Sequence, residues 1–247
     1  MKFEGKTVLV TGSTQGIGQA IALKFAGYGA DVVVHGLGAT DDCDTCEAIK
    51  NMGRKTAAFD VDITHIRAVN EMVNQIIERF GKIDFLINNA GIFPAVAFVD
   101  LDEAHYENVF NVNVKGTLFV TQAVVNQSMI PHNYGRIVNI SSSDGKCPTK
   151  GITVYAASKA AVISFTKSFA LELREYNITS NSVAPGWVAS EALMAGERWK
   201  EAVKMIPSGR LAQPSEIGEA CCFLCDDNVS YINGETLDVN GALLMDD

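Results

Sequence analysis

Short apolar runs and amphipathic segments alternate along the whole 247-residue chain, and this alternation limits the fold more than any other feature. Thr7-Val8-Leu9-Val10 is followed by a helical pattern through Ile17, Ile21, Leu23 and Phe25 that stops near Gly27 and Gly29. Asp31 to His35 is a second apolar run, and a helix carrying Ile49 and Met52 leads to a third from Lys55 to Asp60. Val69, Met72, Val73, Ile76 and Ile77 recur at helical spacing between Ile66 and Phe80, and Gly81 stops them. Ile83 to Ile87, Arg136 to Ile140, Ile178 to Val183 and Glu235 to Val239 complete the strands, with long helices expected over about 106–126 and 155–176. Strands that are apolar throughout are buried on both faces, as in parallel sheets whose crossovers are helices. The expected fold is therefore α/β: one doubly wound domain over 1–247, with a seven-stranded parallel sheet covered by helices on both faces. Only the segment at about 187–207 breaks the rhythm. Its Trp187, Leu193, Met194, Trp199 and Met205 mark it as a substrate-binding insertion or as a loop packed on the core.

Charge and cysteine usage narrow the function classes. Twenty basic against 29 acidic residues give a net charge of −9, which disfavours nucleic acid and anionic membranes as partners. No apolar run reaches the roughly 20 residues that span a bilayer, and Met1 to Lys6 lacks the apolar core of a secretion signal. Six cysteines without a disulfide framework suit a reducing compartment, so a cytoplasmic location is expected. Cys43 with Cys46, and Cys222 with Cys225, have zinc-like spacing. However, Cys221 to Cys225 reads as a buried helix in which thiols act as small hydrophobes, and Cys43 and Cys46 lie in an acidic helix start, so no metal is expected.

Three stretches carry chemistry. Thr11-Gly12-Ser13-Thr14-Gln15-Gly16-Ile17-Gly18 joins the first strand to the first helix. Glycines there allow a tight turn and close approach of a pyrophosphate to the free N–H groups of the helix start, although such a turn also serves purely structural ends. Asn88-Asn89-Ala90-Gly91 closes the fourth strand, as a turn or as a lining for a ribose. Tyr155 and Lys159 lie four residues apart and share one helix face. At about 4 Å and an effective dielectric of about 20, an ammonium acts on a phenolate by roughly 4 kcal/mol. That is enough to bring a phenol from about 10 to near neutrality and suit it to acid/base work. The pair also arises by chance on amphipathic helices.

With these motifs in order, the chain resembles the short-chain dehydrogenase/reductase family. The resemblance rests on TGSTQGIG at 11–18, NNAG at 88–91, Asn113 before Val114-Lys115-Gly116, Ser142 after the fifth strand, YAASK at 155–159 and Ala184-Pro185-Gly186-Trp187. It covers essentially the whole chain and implies a Rossmann-type fold. It also implies hydride transfer between a nicotinamide cofactor and a secondary alcohol or ketone. By the resemblance, Tyr155 is the acid/base, Lys159 holds the nicotinamide ribose and lowers the phenol pKa, Ser142 positions the substrate oxygen, and Asn113 fixes a water in a proton relay. The cofactor is expected against Gly12, Ser13, Gln15, Gly16, Ile17, Gly18, His35, Leu37, Asp62, Ile63, Asn89, Ala90 and Gly91. Tyr155, Lys159, Pro185, Gly186, Val188 and Ser190 complete that set.

The basic residues that mark NADP users in this family are absent, since Gln15 and Leu37 stand in their places. The acidic residue that marks NAD users is absent too, because Gly36 stands there. His35 is a potential phosphate partner, but Asp41 and Asp42 would repel a phosphate, so NAD is expected over NADP. Phe93, Cys147 and Trp187, with Ser142 and Tyr155, should bound the substrate. Most of that wall is apolar, which favours an uncharged small molecule. Two other readings stand beside this one. One is reduction of a 3-oxoacyl group on an acyl carrier protein, disfavoured by Asn133 and Tyr176 where such enzymes carry basic residues. The other is a catalytically silent NAD(P) sensor, disfavoured by the intact Asn113, Ser142, Tyr155 and Lys159. A homotetramer, with the helices around 106–126 and 155–176 paired across one interface, is expected from the family.

Overall fold

Each apolar run becomes a strand of one parallel sheet: β1 (Thr7–Val10), β2 (Asp31–His35), β3 (Thr56–Phe59), β4 (Phe85–Asn88), β5 (Gly135–Ile140), β6 (Ile178–Pro185) and β7 (Thr236–Val239). The computed structural model describes residues 1–245. The strand order is β3-β2-β1-β4-β5-β6-β7. The chain moves outward from β1 in one direction and then restarts from β4 in the other, so the carboxyl ends of β1 and β4 flank a switch point where a crevice must open.

Period-two alternation divides every central strand between two cores. Val8, Val10, Val32, Val34, Phe85 and Ile87 face one side, under α1 (Gly16–Gly27), α2 (Asp44–Asn51) and, later in the chain, Pro214–Leu224. Leu9, Val33, Leu86 and Ile137 face the other, under α3 (Ile66–Phe80) and the long helical segment that follows β4. Cys46, Cys221, Cys222 and Cys225 are packed into the first core as apolar filler. All six cysteines are free, and burial pushes the Cys221 and Cys225 thiols well above their ordinary range. Among the described residues no group of three or more His, Cys, Asp or Glu is placed to hold a metal ion, and no helix is long and apolar enough to cross a membrane.

The long helix expected over about 106–126 is longer and less regular. It begins at α4 (Glu103–Phe110), capped by Asp102, whose carboxylate accepts from His105 N at 2.8 Å. It widens into a π turn at Asn111–Gly116, resumes as α5 (Thr117–Val124), widens again at Val125–Met129 and ends in α6 (Ile130–His132). Left-handed Asn133 then breaks it. The helix α7 (Thr153–Glu172) stops four residues short of the expected end and tightens into a 3₁₀ turn at Arg174–Tyr176. The segment at 187–207 is not an open loop. It folds into α8 (Glu191–Met194) and α9 (Arg198–Met205), which close a small core of Ala202, Ile206 and Leu211 with Trp187, Leu193 and Trp199. Two backbone bonds staple its base, Ala189 N to Ala212 O at 2.8 Å and Ala212 N to Trp187 O at 3.0 Å. The last helix, α10 (Pro214–Leu224), starts with proline in its first turn and a reciprocal Gln213–Glu216 capping box.

Candidate active site

The glycine turn lies at the switch point and is held from behind. Asn89, just past β4, donates from Nδ2 to Thr11 O and Gly12 O at 2.9 Å each. Thr11 Oγ1 accepts from Asn89 N and Ala90 N at 3.0 Å each. A Cβ on Gly18 would run into the Gly12 carbonyl, so only glycine lets the helix pack this close to the turn. Gly16 has φ +60°, and the space where its Cβ would stand is open. The first turn of α1 carries no acidic residue, and Gln15 at its N-cap makes no side-chain cap bond. Its N–H groups and positive dipole end therefore face the crevice, and these features fit a dinucleotide pyrophosphate.

His35 belongs to this scaffold and not to the crevice surface. It is 3% exposed. Its Nδ1 accepts from Gly12 N at 3.2 Å and its Nε2 lies 2.9 Å from Val61 O, which assigns the neutral tautomer with the proton on Nε2. Burial lowers its pKa further. Both ring nitrogens are engaged, so the phosphate-partner role expected of His35 does not fit its position. Ser13 is likewise buried under the turn, with Oγ bonded to Val10 O.

The opposite wall is built from β5, the π turn and α7. Ser141 and Ser142 follow β5 and point to opposite sides. Ser141 Oγ bonds Val183 O on β6, while Ser142, in extended conformation, turns its hydroxyl toward the crevice. Asn113 is 1% exposed, inside the π turn. Its Oδ1 accepts from Ile92 N at 2.8 Å, and its Nδ2 donates to Ile92 O and to Ser158 Oγ at 3.0 Å each. Ser158 Oγ in turn donates to Tyr155 O at 2.6 Å. One amide thus ties the segment after β4 to the helix carrying Tyr155. Phe93, which follows Ile92 in the chain, meets the Tyr155 ring edge-on with ring centroids 4.5 Å apart. The linking Ser158 was not singled out in the sequence; its place inside YAASK was the available signal.

Lys159 and Tyr155 share a helix face, with the lysine Nζ 5.7 Å from the phenol ring centroid. The expected lowering of the phenol pKa is not observed. Burial pushes Tyr155 up to about 12, against a lowering hydrogen bond from Ser142. Burial also brings Lys159 down to about 8, and its Nζ donates to Ile140 O at 2.8 Å. The loss of water around both groups dominates, so the phenol stays protonated while the ammonium is held at a cost and gives up its proton more easily than an exposed lysine would.

Most of the residues singled out come together. Gly12, Gln15, Gly16, Ile17, Gly18, Asn89 and Gly91 form one side of a crevice of about 370 Å³. Phe93, Ser142, Tyr155, Lys159, Pro185, Gly186 and Ser190 form the rest. Other residues lie elsewhere. Leu37 is 75% exposed past β2, and Asp62 is half-buried past β3, accepting from Thr64 N. Ile63 is buried in the second core against Gly116, and Ala90 packs on that core from its edge. Val188 is buried in a bridge to Ala212, Cys147 is exposed on the turn after β5, and Trp187 packs into the small core of the insertion.

Comparison with known proteins agrees with this architecture. The model of a family described as enoyl-(acyl carrier protein) reductase matches residues 12–243. The chain is 37% identical to the 3-oxoacyl-[acyl-carrier-protein] reductase FabG of Thermotoga maritima, over 99% of this chain and 100% of that protein. It is 38% identical to the FabG of Aquifex aeolicus, over 98% and 99%. It is 34% identical to the galactitol 2-dehydrogenase of Agrobacterium fabrum, over 99% and 100%.

Proposed function

This chain belongs to the short-chain dehydrogenase/reductase family, and from that premise we propose that its crevice reduces an uncharged ketone with Tyr155 as the proton donor. The chain is an NAD(P)-dependent oxidoreductase of that class, and when bound the nicotinamide ring gives or accepts the hydride. The observation that carries the reading is the convergence of Ser142, Tyr155 and Lys159 on one crevice with the glycine turn opposite.

Ser142 orients the substrate oxygen with its hydroxyl, and the protonated Tyr155 phenol gives its proton to that oxygen as negative charge develops there. Lys159 stands behind the phenol to bind ribose hydroxyls. Phe93 and Ile92 exclude water from one side and present an apolar wall, and the folded insertion at 187–207 supplies the outer wall through Ser190. Gly12, Gln15, Gly16 and Ile17, on the same crevice, would hold the pyrophosphate of a bound cofactor.

NAD is proposed over NADP. No basic side chain stands at Gln15 or Leu37, and Asp60 beyond β3 accepts from Gly38 N at 2.8 Å, a carboxylate next to the loop after β2 whose charge supports NAD by disfavouring a nearby 2′-phosphate. The relatives named 3-oxoacyl-[acyl-carrier-protein] reductases favour a second reading, reduction of a carrier-bound 3-oxoacyl group. The net charge of −9 opposes docking of an acidic carrier.

The test is oxidation of NADH and of NADPH in the presence of ketones spanning sugars, oxo acids, steroids and acyl thioesters. NADH consumed with an uncharged ketone, faster than NADPH, is the expected result. Cofactor binding without turnover of any ketone or alcohol would replace the enzyme reading with that of a sensor.

A further inference from the structure

The turn after β5 sets a carboxylate against the Ser142 hydroxyl. Asp144 N donates to Ser142 Oγ at 3.1 Å, and Ser142 Oγ faces Asp144 Oδ2 at 3.4 Å. Thr149 Oγ1 donates to Asp144 Oδ1 at 3.0 Å, so the carboxylate is held from a second side. A serine hydroxyl has one hydrogen, and while that hydrogen points to Asp144 it is withheld from a substrate oxygen.

The same carboxylate acts on the phenol. Burial raises the Tyr155 pKa most, the Ser142 hydroxyl lowers it, and the charge of Asp144 raises it again. The other walls bring different chemistry: Lys159 from the same helix, donating to Ile140 O, the ring edge of Phe93, and the amide of Asn113 behind them. Lys146, two residues beyond Asp144, is paired with Asp238 at 2.7 Å.

We propose that Asp144 is a positioning residue for the hydride-transfer reaction: its carboxylate holds the hydrogen of the Ser142 hydroxyl, and so keeps it from the Tyr155 phenol oxygen, until a carbonyl oxygen takes up the hydrogen bonds of both. This rests on the functional reading above. Asp144→Asn keeps the shape and removes the charge.

Two measurements test it. The first is the pH profile of kcat/KM for alcohol oxidation. In Asp144→Asn the acidic limb should move down by about half a pH unit or more, roughly a threefold gain at a pH on that limb. Cofactor affinity should be unchanged, and Asp144→Glu should restore the wild-type profile. Superimposable profiles for wild type and Asp144→Asn would overturn the proposal. The second needs no substrate. With tyrosine labelled at ¹³Cζ and the Tyr155 resonance assigned through Tyr155→Phe, that resonance should begin to titrate at lower pH in Asp144→Asn than in the wild type. An unchanged titration would also overturn the proposal. A shifted titration in a protein that turns over nothing would uphold the role of Asp144 and place the failure in the functional reading.

Discussion

Lys159 is 6% exposed, with its ammonium on a single backbone carbonyl, and burial brings it down to about 8 from an ordinary value near 10.5. At neutral pH the folded protein therefore holds a charge it would be more stable without. Replacing that lysine with methionine, of similar length, removes the desolvation cost along with the function. Lys159→Met should melt no lower than the wild type at pH 7 while losing turnover. Between about pH 8 and 9.5 the unfolded lysine still binds a proton that the folded one has released, so wild-type stability rises with pH there and the difference from Lys159→Met shifts in its favour. Paired thermal melts across that range check the sign, and a constant difference would contradict it. That Tyr155 and Lys159 share a helix face was legible from their spacing, and their chemistry only from the company of the other motifs. The direction of their pKa shifts was not, because spacing reports proximity and says nothing of how much water the site excludes. His35 was misplaced for a related reason: its role depends on Val61 and Gly12 meeting it from either side, which the sequence of β2 does not reveal.

The π turn at Asn111–Gly116 is the element on which the site's geometry depends. Its extra residue turns Asn113 inward, where one amide satisfies both backbone groups of Ile92 and the hydroxyl of Ser158. Asn113→Ala would leave buried polar groups unpaired, at about 1–3 kcal/mol each by the usual penalty. It would also free Phe93 from the Tyr155 ring. The expected outcome is a lowered Tm and a fall in kcat of at least tenfold with a smaller change in cofactor affinity, read by melts, initial rates and cofactor titration. A kcat within twofold of wild type would show that the turn is dispensable. Long apolar elements were legible because burial imposes periods of two and 3.6 on sequence. The π turns were not, since inserting one residue in a long amphipathic pattern leaves most of its stripe intact. The insertion at 187–207 was visible as a break in rhythm. Its own core around Ala202, Ile206 and Leu211 was not, because the packing partners Leu211 and Leu243 lie outside it.

For the whole molecule, a doubly wound, seven-stranded parallel sheet follows from apolar strands joined by helical crossovers, and this much was readable at once; the strand order that opens the crevice between β1 and β4 is seen only in the fold. The helices α4 and α7 carry stacked aromatic pairs, Tyr106 with Phe110 and Phe165 with Phe169. These pairs support the homotetramer proposed from the family. Light scattering should give four times the chain mass, and Phe165→Glu with Phe169→Glu should reduce it to a dimer or monomer; an unchanged mass in that variant would move the interface elsewhere.

Tyr155→Phe measures the central claim most directly, because it removes one oxygen and leaves the ring packed on Phe93. Ketone reduction should fall by at least a thousandfold in single-turnover assays, while cofactor dissociation constants stay within a few-fold of wild type. Reduction at a rate near that of the wild type would contradict the account.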